Sequence, residues 1–258
     1  MMVNAVGSSV IQGFRNVSEF IEMVLHTLVC VVVPPYRIRD TFHQLYFVVN
    51  QSAVIVVFCV SFAASVTIIE ASFHMKMVIQ NDTMVPGFAS QIILRELGSV
   101  VMALLVTSRV GAGLAAEVGS MQITEQIDAL RMLGLDPIRF IVVPRFIACL
   151  VAGILLAVIA NLVCLYGAAL VSTWKLGYTM GEFITAARAF VKFRDLIFAS
   201  IKGMAFGAVI PFFSCYHGFR CKAGAEGVGL ATTNSVVTTS VAIIIIDFVL
   251  TYIFSQYY

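Results

Sequence analysis

Four ionisable residues interrupt stretches of the chain that are otherwise apolar: Arg95, Glu96, Lys202 and Asp247. A charged side chain at the centre of a bilayer costs at least about 2.5–3.5 kcal/mol on insertion scales, so such groups normally face protein or a wet cavity. One interpretation is that they form the polar lining of a cavity or support motion within it. The other is that they form internal ion pairs that fix the register of the helices, with Glu96 and Lys202 as one pair.

A second polar segment, residues 120–133, lies between two apolar stretches and is predicted to form a short helix. Ser120 is expected to cap its N-terminus, and Gly134 suits the left-handed conformation that follows a helix end. Asp128 and Arg131 can pair one turn apart. The spacing fits an ordinary loop helix and a coupling helix that docks on an ATPase equally well. The candidate docking residues are Glu117, Ser120, Gln122, Glu125, Asp128 and Arg131.

Three common motifs of catalysis are missing from the sequence: the G-x-x-x-x-G-K-[ST] phosphate loop, H-E-x-x-H and the G-x-S-x-G nucleophile elbow. Because the phosphate loop is missing, ATP hydrolysis is expected in a separate subunit. The four histidines are scattered singly, which argues against an intramembrane enzyme. The six cysteines have no C-x-x-C spacing, and most lie in apolar runs. We therefore expect no cofactor and no metal in this chain.

The composition indicates a membrane protein. Hydrophobic residues make up 60% of the 258 residues and charged residues only 12%, whereas soluble domains carry about 25% charged residues. This leaves too few charges to cover the surface of a soluble domain of this size. The net charge of +2 comes without a basic stripe, which argues against a nucleic-acid partner.

Five apolar stretches are long enough to cross a bilayer, which needs about 20 helical residues. They predict an all-α integral membrane protein with a single domain over residues 1–258. The predicted transmembrane helices are residues 41–70, 89–116, 146–174, 196–219 and 228–254. Small residues in the second of these and directly after it, Gly111, Ala115 and Gly119, predict close helix packing, within one subunit in preference to a dimer contact.

An amphipathic pattern over residues 8–33 predicts an additional N-terminal helix. This helix could lie in the membrane interface with its apolar face down, or it could pack on the other helices. Five spans place the two termini on opposite sides of the membrane. Arginine and lysine are more frequent on the side of the polar helix, so the N-terminus is predicted to be cytoplasmic and the C-terminus external.

Five segments at the centre of the chain carry a family resemblance: 94–98 (LRELG), 109–113 (RVGAG), 116–121 (AEVGSM), 124–130 (TEQIDAL) and 134–137 (GLDP). In these segments the chain resembles the permease subunits of the MlaE/YrbE family, and weaker matches extend the resemblance over nearly the whole chain. Those permeases belong to ABC transporters that work with MCE-domain lipid-binding proteins.

The resemblance implies a lipid permease of the bacterial inner membrane. It would act as a homodimer with an ABC ATPase subunit that binds ATP and Mg and with a periplasmic MCE-domain protein, and a small accessory cytoplasmic subunit could join them. Phospholipid would pass between the inner membrane and the MCE-domain protein and so contribute to the lipid asymmetry of the outer membrane. The polar helix then becomes the coupling helix, and the intramembrane charges could handle lipid head groups.

The resemblance also implies a lipid cavity at the external ends of the first two spans, where Ile69, Phe73, Met77 and Leu97 could contact acyl chains. Three other functions stay open at this point. They are an ABC permease for another lipid or a sterol, an ABC permease for a soluble solute, and an intramembrane lipid-modifying enzyme. The sequence determines neither the lipid nor the direction of its transport.

Overall fold

A computed structural model describes residues 2–34, 37–78, 84–222 and 224–256 of the chain. Within these ranges the protein is helical and has no β-strand. The helices are α1 (Met2–Val32), α2 (Ile38–Val78), α3 (Val85–Ile123), α4 (Gln126–Met132), α5 (Ile138–Lys175), α6 (Met180–Phe190), α7 (Phe193–Phe219) and α8 (Ala225–Gln256). Five of them, α2, α3, α5, α7 and α8, are long and apolar enough to span a membrane. The predicted all-α membrane fold is therefore confirmed.

The centre of the bundle is α5, which packs against α2 on one side and α7 on the other. Each predicted apolar stretch lies inside one of the five long helices, and the helices extend a few residues beyond it into polar sequence. The main core joins Val60 of α2, Leu156 of α5 and Phe206 of α7, all completely buried. The least buried of the five long helices is α8, which packs mainly on α7 and α3.

Three glycines bring the backbones of α5 and α7 into contact. A Cβ atom placed on Gly153 would overlap the carbonyl oxygen of Gly203, and one placed on Gly207 would overlap the carbonyl oxygen of Cys149. Only residues without a side chain allow this approach. Gly111, in the predicted run of small residues, also faces α7 of the same chain. A Cβ atom placed on Gly111 would lie at ordinary van der Waals distance from α7.

Helix α3 contains two π turns, Ile93–Leu97 and Thr107–Gly111. In the first, the backbone N–H of Gly98 donates to the carbonyl of Ile93, five residues earlier. A third π turn, Ile138–Val142, begins α5. Each π turn takes up an additional residue and rotates the helix face that follows it, and such turns are frequent at functional sites. The charged pair Arg95–Glu96 lies within the first of them.

Helix α1 packs on the bundle with one face and leaves another exposed. Phe20 stacks on Phe213 of α7 with ring centroids 4.6 Å apart, and Met23 and Thr27 are buried. The sequence left two placements open for this helix, and the structure shows the one in which it packs against the other helices. The apolar face that includes Phe14 remains exposed and is suited to the membrane interface.

Helix α6 closes the end of the bundle opposite α4, where it packs on the start of α3. A capping box begins it: the backbone N–H of Glu182 donates to Thr179 Oγ1, and the backbone N–H of Thr179 donates to the Glu182 carboxylate at 2.7 Å. Both orphan donors of the helix end are satisfied in this way. The hydrogen bonds from Thr179 hold the pKa of Glu182 below its usual value, because they stabilise the ionised carboxylate.

Candidate functional site

The ammonium group of Lys202 lies at the centre of a buried charge network that joins α3, α7 and α8. Its side chain is completely buried, and its Nζ atom lies 2.6 Å from Glu96 Oε2 of α3 and 2.6 Å from Asp247 Oδ1 of α8. It also donates to the carbonyl oxygen of Arg95, in the first π turn, at 3.1 Å. The predicted ion pair between Glu96 and Lys202 is thus present, and Asp247 joins the same cation.

A second ion pair extends the network toward the start of α7. Arg95 Nε donates to Asp195 Oδ1 at 2.6 Å, and the Asp195 side chain is completely buried. The other carboxylate oxygen of Asp195 accepts from the backbone N–H of Lys192 and so caps α7. From α8, Thr251 Oγ1 donates to Glu96 Oε1 at 3.2 Å. Sequence reasoning missed Asp195 and Thr251.

The geometry favours the interpretation that these charges fix helix register. A buried cation held by two carboxylates from different helices sets the rotation and height of all three helices relative to one another, because moving any one of them separates opposite charges in a medium of low dielectric. Lys202 lies about 14 Å along α7 from its first residue, at the end of the bundle away from α4. Handling of lipid head groups by the same residues stays a prediction.

Three of the four residues predicted to contact lipid lie along one exposed stripe of α2. Ile69, Phe73 and Met77 follow one another at helical spacing, and their exposed fractions are 41%, 56% and 70%. Leu97 of α3 is only partly buried and packs on the edge of the main core. In the single chain, therefore, the stripe is an open apolar surface at the same end of the bundle as the charge network.

The polar helix is shorter than predicted. The predicted helix over 120–133 is wrong in its first part, because residues 120–123 continue α3 and a break at Thr124 and Glu125 precedes α4. Ser120 does not cap α4; its carbonyl oxygen accepts from the backbone N–H of Thr124. Glu125 occupies the position before α4 with φ of +58°, a left-handed conformation that is uncommon for residues other than glycine.

Two features hold α4 rigidly against the bundle. Ile127 is completely buried in a small core with Val118 and Val142, so the hairpin formed by α3, α4 and α5 has its own apolar centre. The end of α4 is closed by a Schellman motif, in which Gly134 N–H donates to Arg131 O and Leu135 N–H donates to Leu130 O. The predicted left-handed conformation of Gly134 is confirmed by its φ of +73°.

The outward surface of α4 combines charge with exposed apolar side chains. Asp128 and Arg131 form the predicted ion pair at 3.0 Å and are both exposed. Met132 and Leu133 are exposed by 89% and 74%. Sequence reasoning did not single out these two residues. Exposed apolar side chains bordered by charges are typical of a protein-binding surface.

An ion pair ties α3 to α5 beside the coupling helix. Arg145 Nη2 of α5 donates to Glu117 Oε1 of α3 at 2.7 Å, and Nη1 donates to the carbonyl of Ile141. Arg145 is buried, whereas Glu117 is partly exposed at the edge of a groove of about 440 Å³ between α2, α4 and α5. Of the other predicted docking residues, Gln122 is partly buried at the end of α3, and Ser120 and Glu125 are exposed.

Known proteins resemble this chain over most of its length. The sequence model of the family described as Permease MlaE matches residues 41–253. The "Probable ABC transporter permease protein" of Rickettsia felis is 31% identical over 253 residues, which cover 98% of this chain and 97% of that protein. The "Intermembrane phospholipid transport system permease protein MlaE" of Haemophilus influenzae is 35% identical over 161 residues, which cover 62% of this chain and 61% of that protein.

A plant protein shares part of the chain as well. "Protein TRIGALACTOSYLDIACYLGLYCEROL 1, chloroplastic" of Arabidopsis thaliana is 40% identical over 162 residues, 63% of this chain and 46% of that protein. The family match spans three of the five long helices, α3, α5 and α7, completely and nearly all of α2 and α8, and it includes the charge network and the hairpin formed by α3, α4 and α5. The fold, the hairpin and these similarities together show that the chain belongs to the MlaE family of permeases.

Proposed function

We propose that the chain is the membrane subunit of an ABC transporter that moves phospholipid between the inner membrane and a periplasmic MCE-domain protein. The observation that carries the proposal is the rigid hairpin between α3 and α5, which presents α4 with an exposed apolar tip. A helix held in this way transmits force to the spans on either side of it. The similarity to a permease that is named for phospholipid transport supports the choice of cargo.

The proposed assembly contains two copies of this chain. Each α4 contacts one ABC ATPase subunit, which binds ATP and Mg, and a small accessory cytoplasmic subunit can join on the same side. The end of the bundle with α4 also carries Arg37, Arg139, Arg220 and Lys222, which favours a cytoplasmic location for that end. The N-terminus is then cytoplasmic and the C-terminus periplasmic, in a bacterial inner membrane.

The proposed lipid path begins at the exposed stripe of α2. A second copy of the chain facing Ile69, Phe73 and Met77 would enclose this stripe and Leu97 in a cavity open to the periplasm. Acyl chains would lie against the apolar side chains, with the charge network at the same end of the bundle. A sterol or another lipid is the alternative cargo. Membership of a permease family disfavours the alternative of a lipid-modifying enzyme.

The double substitution Met132→Asp with Leu133→Asp is expected to abolish stable association with the ATPase. Two charges at the apolar tip of α4 remove central interface contacts worth about 2 kcal/mol or more, which is roughly thirtyfold in affinity. Recovery of the ATPase on affinity-tagged permease measures the effect. Met180→Asp, an exposed methionine on α6 at the opposite end, is the matched control. Undiminished ATPase recovery in the double variant would refute the docking role of α4.

Phe73→Ser is expected to lower the phospholipid that co-purifies with the transporter by about tenfold, because burying a phenylalanine side chain against an acyl chain contributes about 1.5–3 kcal/mol. Quantitative mass spectrometry of the bound lipid measures this loss. Phe42→Ser is the control, since Phe42 is similarly exposed at the other end of α2. Equal lipid retention in both variants contradicts the cavity, and an enriched sterol identifies the alternative cargo.

A further inference from the structure

Three side chains with metal-binding atoms converge where α1 meets the turn after α4. His26 and Cys30 lie one turn apart on α1, and Asp136 lies in the turn between α4 and α5. One ligand atom from each lies within 4.8 Å of the other two. His26 Nε2 is 3.2 Å from Asp136 Oδ2, and Cys30 Sγ is 4.0 Å from the same oxygen. The sequence did not indicate this cluster, because Cys30 and Asp136 are 106 residues apart.

These separations are close to those of ligands around one zinc ion. Zinc binds histidine nitrogen, cysteine sulfur and aspartate oxygen at about 2.0–2.3 Å with tetrahedral geometry, which places neighbouring ligand atoms about 3.3–3.6 Å apart. The 3.2 Å separation of His26 and Asp136 already fits one ion, and a rotation of the Cys30 side chain would have to bring its Sγ atom closer than 4.0 Å to Asp136. A set of nitrogen, sulfur and oxygen ligands favours zinc over magnesium or calcium, which prefer oxygen alone.

The Asp136 carboxylate is already oriented for such a role. Its Oδ1 atom accepts from the backbone N–H of Ile138 at 3.0 Å, which leaves Oδ2 to face His26 and Cys30. A hydrogen bond of this kind to the second carboxylate oxygen is the usual way in which proteins orient a ligand. The neighbouring cation Arg139 donates to the carbonyl of Val33 at 2.9 Å, so its guanidinium is anchored to the chain after α1.

We propose that His26, Cys30 and Asp136 bind one zinc ion and that this ion fastens α1 to the turn after α4. Without metal, His26 and Asp136 form a hydrogen bond, which is a weaker link between the two segments than shared zinc ligation, and Cys30 stays a thiol. Zinc binds cysteine as the thiolate, so the proton leaves Cys30 as the Zn–S bond forms and is released to solvent. With three protein ligands, the fourth position of the tetrahedron is available to water. The site itself is independent of the proposed transport function. In the transporter, the bound ion would hold α1 to the turn that leads from α4 into α5.

Cobalt titration of the purified full-length protein tests the site. After removal of metal with EDTA and dialysis, Co²⁺ is expected to bind at one ion per chain with a thiolate-to-cobalt charge-transfer band in the near ultraviolet. Cys30→Ser is expected to remove that band, while Cys221→Ser, at another partly exposed cysteine, is expected to retain it. His26→Ala and Asp136→Asn are each expected to lower the affinity for Zn²⁺, measured against a chelator, by more than about tenfold.

Two results of the cobalt titration would overturn the proposal. One is a wild-type protein that shows no charge-transfer band at saturating Co²⁺. The other is a band of unchanged intensity in Cys30→Ser. Asp136→Asn keeps an acceptor for the backbone N–H of Ile138, so its loss of affinity reports the missing anionic ligand, and elution of each variant at the wild-type volume confirms its fold. Zinc affinities in His26→Ala and Asp136→Asn that match the wild-type value would also refute the site.

Discussion

Lys202→Met is expected to destabilise the folded protein by about 3–5 kcal/mol, the range found when one partner of a buried ion pair is removed. The substitution keeps most of the apolar volume of the side chain and deletes only the ammonium group. Glu96 and Asp247 each lie 2.6 Å from that group, so its loss leaves two carboxylates facing each other. The carbonyl of Arg95 in the π turn also loses its hydrogen bond from the side chain.

Thermal unfolding of the detergent-solubilised protein, followed by size-exclusion chromatography, measures this loss. Lys222→Met is the matched control. It exchanges the same two residue types, but Lys222 is exposed. The double variant Lys202→Met with Asp247→Asn is expected to recover part of the stability, because it removes one of the two facing charges. If Lys202→Met and Lys222→Met unfold at the same temperature, the network does not hold the helices in register.

Gly207→Leu is expected to prevent the close packing of α5 and α7. Overpacking of an apolar core costs about 1–3 kcal/mol when neighbouring side chains can move aside. Here the obstacle is the backbone carbonyl of Cys149, which cannot rotate away without moving α5. The whole helix must shift outward, and the contact at Gly153 and Gly203 is lost with it. We therefore expect Gly207→Leu to lower the stability by more than the cost of ordinary overpacking, about 1–3 kcal/mol. Little folded protein is then expected after extraction from the membrane.

Gly113→Leu is the matched control for this prediction. Gly113 is also a helical glycine, in α3, but no atom lies within 4 Å of the position that its Cβ would occupy. The yield of monodisperse protein on size-exclusion chromatography is expected to match wild type for Gly113→Leu and to fall sharply for Gly207→Leu. Equal yields would mean that α5 and α7 can separate without loss of the fold.

The sequence predicted the spans well because long apolar stretches are determined by composition alone. The pair between Glu96 and Lys202 was also predictable, since two opposite charges inside apolar stretches each need a partner. Asp195 was missed because it lies directly before the predicted span 196–219 and was assigned to the loop. Its capping role had little signal in the sequence, because the residue three positions before it is Lys192 and not the serine or threonine of a capping box.

The sequence predicted the position of the hairpin formed by α3, α4 and α5, but not its detailed structure. The break before α4 is made by Glu125 in a left-handed conformation, and no glycine or proline marks it in the sequence. The exposure of Met132 and Leu133 depends on tertiary packing. The side of α4 that packs on the bundle is the one with Ile127, which leaves Met132 and Leu133 exposed. The contact of α5 with α7 did have a signal: Gly203 and Gly207 form a G-x-x-x-G pair, the pattern that allows close helix approach.

The three-helix charge network has a consequence for membrane insertion. Helices α3 and α7 precede α8 in the chain, so Glu96 and Lys202 can meet before α8 is inserted. An aspartate at membrane depth opposes insertion by about 2.5–3.5 kcal/mol on its own, and α8 buries less of its surface than the other spans. We therefore expect Asp247 to enter the membrane at lower cost when the Glu96–Lys202 pair is already in place.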